Sequence, residues 1–158
     1  RLVKEIASGK NVDPRRLYTT GQSMGGMISM YYNVTYPDVF AASIFVDCHW
    51  DSATFPELVK HKFTFITAGK AGTFGALETA ADNAGIRYEY AEWSARLPQA
   101  EQDRLATEEL AKGAPINIIN FESKTVLPAD GKGSEHMYSF DYAYRLTPVR
   151  EWLFRQSR

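Results

Sequence analysis

The apolar and polar positions of this chain change period repeatedly, and each change marks an element. Leu2, Val3 and Ile6 stand at helical spacing and Gly9 with Asn11 stops them, so residues 1–9 read as the end of an amphipathic helix. After the turn Asn11-Val12-Asp13-Pro14, residues 16–20 form a short strand. Residues 24–36 form a helix whose first turn is small and whose end is marked by Tyr36-Pro37-Asp38. Residues 39–46 read as a second strand, with Ala41-Ala42-Ser43-Ile44-Phe45-Val46 apolar enough for burial on both faces. A third strand spans 61–67, then a glycine-rich loop over 68–75 and a helix over about 76–84 that Gly85 ends. Residues 86–93 alternate as a fourth strand, Pro98 opens a charged helix that Gly113 closes, and 116–121 is a fifth strand. Residues 125–136 read as a long polar loop with Pro128, Gly131 and Gly133, and 140–154 as a closing amphipathic helix. Strands alternating with helices of about a dozen residues predict an α/β fold with a mostly parallel sheet flanked by helices.

Between the first strand and its helix lies Gly21-Gln22-Ser23-Met24-Gly25. Gly-x-Ser-x-Gly between a strand and a helix is the nucleophile-elbow pattern, in which a sharp turn pushes the serine hydroxyl above the sheet edge. The glycines have a mechanical reason: the turn is strained, and strand and helix are expected to pack too closely at Gly21 and Gly25 for a side chain. Ser23 is therefore the candidate nucleophile, and the N–H of Met24, directly behind it, a candidate oxyanion donor.

Composition narrows the picture. At 158 residues, the chain is long enough for one domain with a sizeable core. A net charge of −1 gives no electrostatic case for nucleic acid or an anionic membrane surface, and no apolar run has the length of a membrane span. The single cysteine, Cys48, excludes an internal disulfide and leaves the compartment open; it reads as a small buried residue. No metal-ligand cluster or phosphate-binding loop is present in the pattern, and no cofactor is expected: the glycine-rich loop lacks the Gly-Lys-Ser/Thr ending. The tyrosines of the second helix and the aromatics after Tyr138 read as packing residues, the charged helix as a solvated face, and His61, among lysines, as a surface histidine. The chain opens at Arg1, without methionine and inside a helix, which suggests a fragment or a processed chain.

The run DPRRLYTTGQSMGGMISMYYNVTYPDVFAA resembles the nucleophile region of α/β-hydrolase serine esterases, of the polyhydroxybutyrate-depolymerase-like and feruloyl-esterase-like branch. The tail SEHMYSFDYAYRLTPVREWLFRQ is similar to the end of the same proteins, where a histidine loop precedes a helix finishing in Trp-Leu-Phe. Together with Cys48-His49-Trp50-Asp51, the likeness spans nearly the whole chain. It implies that residues 1–158 are the C-terminal portion of one α/β-hydrolase domain. The earlier strands and the second oxyanion donor would come from a separate chain or a segment outside this one.

The resemblance also implies roles. His136, last in chain order before the final helix, would be the base for Ser23, with His49 as the alternative. Gln22, His49 and Trp50 would line the substrate site. The acid that orients the imidazole usually follows the third strand of this half, where this chain places Lys70. Four carboxylates could replace it, Asp47, Asp51, Glu78 and Asp82. Asp51 is favoured, because a side chain just past the strand end faces the site, whereas Asp47 is expected to point into the sheet packing. The implied activity is hydrolysis of a small-molecule or polymer carboxylic ester through an acyl-enzyme. A prolyl-oligopeptidase-like peptidase or transacylase, and a non-catalytic hydrolase-like binding module, remain the alternatives.

Overall fold

The computed structural model describes residues 2–9, 11–69 and 72–158. Arg1 and Lys70, which carry two of the expectations above, lie outside them. Among the described residues, five strands form one parallel sheet: β1 (Tyr18–Gln22), β2 (Ala42–Val46), β3 (Phe63–Ala68), β4 (Tyr88–Trp93) and β5 (Ile116–Phe121), in the order β1-β2-β3-β5-β4. The helices are α1 (Leu2–Gly9), α2 (Met24–Thr35), α3 (Phe55–Leu58), α4 (Thr73–Ala84), α5 (Gln99–Ala111), α6 (Glu135–Arg145) and α7 (Thr147–Arg155). Each expected strand is present, though β1 runs two residues later than its apolar pattern suggests.

The central strands β2, β3 and β5 are buried at every position. Their alternate side chains feed two cores, as expected of a parallel sheet covered on both faces. On one face Phe45, Phe63, Phe65, Ile116 and Ile118 pack with Met30 of α2, Phe55 and Leu58 of α3, and Leu77 of α4. On the other, Ile44, Val46, Ile66, Ile119 and Phe121 pack with Ala106 of α5, Phe140 and Ala143 of α6, and Trp152 and Leu153 of α7. The rings of Phe45 and Phe63 are 5.2 Å apart across the β2–β3 pair.

Two departures from the sequence pattern bear on the site. The polar stretch expected to be a loop up to His136 turns helical at Glu135, and the closing helix is two helices broken at Leu146. Leu146 adopts an extended backbone directly ahead of Thr147-Pro148, since a proline inside the helix would lose a hydrogen bond and clash with the preceding turn. A 3-10 turn at Ser52–Thr54 and the short α3 also follow β2, started by Pro56 in the first turn.

The double-sided burial makes a quantitative expectation. Phe45 is wholly inaccessible to solvent. Phe45→Ala should lower the unfolding free energy by about 3–5 kcal/mol in urea titrations, with an unchanged denaturant slope. A loss below about 1 kcal/mol would contradict the packing described.

Candidate active site

The register of β1 on β2 pairs Gln22 with Val46, so both strands end at the same level. The next residue on each is strained: Ser23 has φ 49° and ψ −122°, and Asp47 has φ 41°. Positive φ in a non-glycine residue costs about 1–3 kcal/mol and persists only where surrounding contacts impose it. At Ser23 the backbone N–H donates to the Val46 carbonyl at 3.0 Å and its own carbonyl accepts from Met27 N–H at 3.0 Å.

Close packing requires the glycine at Gly21, where a Cβ would come within 2.2 Å of the Gly25 backbone. The expectation of equal crowding at Gly25 is not met: a Cβ there meets open space, and Gly26 is the packed position, its Cβ site lying 2.5 Å from Cys48 Sγ.

Ser23 occupies the N-cap position of α2, where a serine side chain ordinarily accepts from a backbone N–H of the first turn. Here it makes no capping bond. Its Oγ lies 2.9 Å from Nε2 of His136 instead.

His136 stands in the first turn of α6, half-buried, with its ring edge-on to Phe140 at 5.0 Å between centroids. The neighbouring Glu135 ties the start of this helix to the chain beyond β5: its carboxylate accepts from the backbone N–H of Lys124 and from Ser123 Oγ. A helix in place of a loop gives the imidazole a fixed origin.

The carboxylate that faces His136 is Asp47. Its Oδ1 lies 3.5 Å from Nδ1, and the residue is only 7% exposed. Asp47, and not the favoured Asp51, is the carboxylate brought to the imidazole. Asp51 is exposed and accepts at Oδ1 from Ala53 N–H at 3.0 Å, capping the 3-10 turn. Asp47 escapes the strand alternation that would have directed it into the sheet because its backbone turns left-handed at the strand end. Glu78 and Asp82 lie near Tyr88, whose hydroxyl is pushed up by burial first and by these two acids second. Neither of these two carboxylates serves His136. Two hydroxyls that the sequence reading did not single out complete the surroundings of Asp47: Ser139 Oγ donates to Oδ2 at 2.7 Å and Thr67 Oγ1 to Oδ1 at 3.3 Å. The spacing of Ser139 three residues after His136 was the available signal, once that segment is taken as helix.

Residues 1–104 match the model of the esterase family described as Putative esterase. The chain belongs to this family. Solved structures agree in fold, and the sheet with its elbow is that of an α/β-hydrolase. A thermostable esterase superposes with a TM-score of 0.70 at 18% identity, covering 99% of this chain and 35% of that one. A protein designated FAE superposes with a TM-score of 0.51 at 12% identity, covering 90% of this chain and 47% of that one. The esterase-family chain thus spans about a third to a half of the length of these two structures. Among curated proteins, none matches it.

Around this esterase-family core, a cavity of about 450 Å3 opens beside His136 and Asp47. Cys48, His49, Trp50, Phe55 and the start of α4 line it. His49 and Trp50 are thereby brought to the site, the Trp50 ring lying 6.1 Å from that of Tyr31. Gln22 is exposed at the end of β1, and Met24 begins α2, so its N–H is one of the first four that have no acceptor within the helix. His61 is half-buried away from the site, among Glu57, Asp38 and Lys60, with its imidazole pushed below the ordinary value by burial. Among the described residues, no group of three or more histidine, cysteine or carboxylate side chains could hold a metal ion, and no helix is long and apolar enough to cross a membrane.

The thiol of Cys48 is pushed up to about 12, by burial first and by the adjacent Asp47 second. At pH 8 it is almost wholly protonated, and only the thiolate is reactive. Iodoacetamide at pH 8 should therefore leave Cys48 unmodified in the folded protein and alkylate it fully in urea, as read by intact mass. Rapid modification of the folded form would contradict this burial.

Proposed function

We propose that the protein is a serine carboxylic-ester hydrolase that works through an acyl-enzyme, with Ser23 as nucleophile, His136 as base and then acid, and Asp47 as the orienting carboxylate. The observation that carries this reading is the continuous contact from Asp47 Oδ1 to His136 Nδ1 at 3.5 Å and from His136 Nε2 to Ser23 Oγ at 2.9 Å. Membership of the esterase family and the strained elbow support it.

A serine hydroxyl is a weak nucleophile until a base takes its proton. As Ser23 Oγ attacks the ester carbonyl carbon, Nε2 accepts the hydroxyl proton and the carbonyl oxygen becomes an oxyanion. The oxyanion is stabilised by the Met24 N–H and the field at the start of α2. Collapse of the tetrahedral species breaks the bond to the leaving oxygen, which receives the proton from Nε2. Water then repeats the cycle on the acyl-enzyme, its proton going to His136 and finally to Ser23 Oγ as the acid leaves. Asp47 holds the Nδ1–H tautomer that leaves Nε2 free to accept, and stabilises the imidazolium. Gln22, His49 and Trp50 border the space for a small-molecule or polymer ester.

The proposal extends to polypeptide outside these 158 residues. Among the described residues β1 is paired only on its β2 side, and Met24, Ile28, Tyr31, Tyr32 and Tyr36 form an exposed apolar stripe on or next to α2. An open parallel edge beside an apolar stripe is a surface that another strand and helix would cover. Such a segment would also bring the second oxyanion donor.

Ser23→Ala and His136→Ala should each lower kcat on p-nitrophenyl acetate about a thousandfold or more. Asp47→Asn should come close to that loss, whereas Asp51→Asn should stay within about twofold of the wild-type protein. Equal losses for the two aspartate variants, or faster turnover of peptide anilides than of esters, would overturn the assignment.

A further inference from the structure

We propose that Ser139 is a positioning residue for the Ser23–His136–Asp47 site, locking the acid to the helix that carries the base. This inference rests on the reading of that site as catalytic. Ser139 is wholly inaccessible to solvent and lies one turn after His136 on α6. Its Oγ is 2.7 Å from Asp47 Oδ2 and 2.9 Å from the backbone carbonyl of His136.

A hydroxyl has one proton and here two acceptors. The charged carboxylate is the stronger acceptor and lies at the shorter distance, so the proton belongs mainly to Asp47 with the carbonyl as a secondary partner. The consequence is geometric. Asp47 is carried by β2 and its strained strand end, whereas His136 is carried by α6, and the direct contact between them is a loose 3.5 Å. The 2.7 Å bond from Ser139 is shorter than that contact, and it is the tighter link between the two elements. It also occupies Oδ2, which leaves Oδ1 to Thr67 and to His136 Nδ1. A carboxylate this buried needs donors on both oxygens, and without Ser139 the carboxylate has reason to rotate away from Nδ1 in search of another. The imidazole would then lose the partner that selects its tautomer.

Ser139→Ala removes one atom from the core, and Ser139→Thr returns the hydroxyl. In the full chain labelled with 15N-histidine, the His136 ring of the wild-type protein should show the Nδ1–H tautomer. Ser139→Ala should shift the His136 ring-nitrogen signals towards a mixture of tautomers. It should also lower kcat on p-nitrophenyl acetate roughly tenfold with KM unchanged, the expected effect of one hydrogen bond to a charged group. Ser139→Thr should recover both. Ring-nitrogen shifts that stay at their wild-type values in folded Ser139→Ala overturn the proposal, and so does an unchanged kcat in an active protein. A wild-type protein that hydrolyses no ester sinks the esterase reading instead, and the ring-nitrogen shifts alone then decide the role of Ser139.

Discussion

The parallel pairing of β1 with β2 is the constraint on which the site depends. Because Gln22 stands opposite Val46, the chain leaves both strands at one level, and the two residues that follow are Ser23 and Asp47. The Ser23 N–H bond to the Val46 carbonyl carries the ladder one step past the end of β1 and holds the elbow against its own strain. A slip of one residue in this register would turn the alternate side chains of β1 over and separate the two positive-φ residues. Two buried cores, one on each side of β2, make such a slip costly.

Across this fixed pair lies α6, and the site is a meeting of two strand ends with one helix. His136 reaches Ser23 through Nε2 and Asp47 through Nδ1, so a small rotation of α6 would disturb both contacts together. What restrains the rotation is spread over several levels. Phe140 and Ala143 fix the apolar side of α6 on the sheet, Glu135 ties its first turn to residues 123–124, and Ser139 binds Asp47 directly. Asp47 follows the second strand of this sheet, and the hydroxyls of Thr67 and Ser139, from the next strand and the helix, surround it.

Much of this was legible in the chain. Ser23 announces itself through glycine spacing between an apolar strand and a small-residue helix, a local pattern with a local cause. The three central strands show as apolar runs because a doubly covered sheet leaves them no solvent face. Asp47 was harder to read, because strand alternation points it inward and only the left-handed turn at its own backbone redirects it. Asp51 looked better placed by proximity to the strand end, yet Asp-Ser-Ala-Thr followed by Phe-Pro is a cap and helix-start pattern that uses its carboxylate locally. The start of α6 read as loop because Ser134, Glu135, His136 and Ser139 are polar. Three of those side chains, from Glu135, His136 and Ser139, are engaged in contacts that join distant parts of the chain. The break at Leu146 was masked by apolar spacing that continues through it, although Pro148 marked it.

The proposed chemistry is that of a serine made reactive by a histidine that an aspartate orients. Labelling the wild-type protein with a fluorophosphonate and mapping the adduct by peptide mass spectrometry tests that claim most directly. A single adduct on Ser23 is expected, forming far more slowly in His136→Ala. No adduct on Ser23, under conditions that label a control serine hydrolase completely, would contradict it.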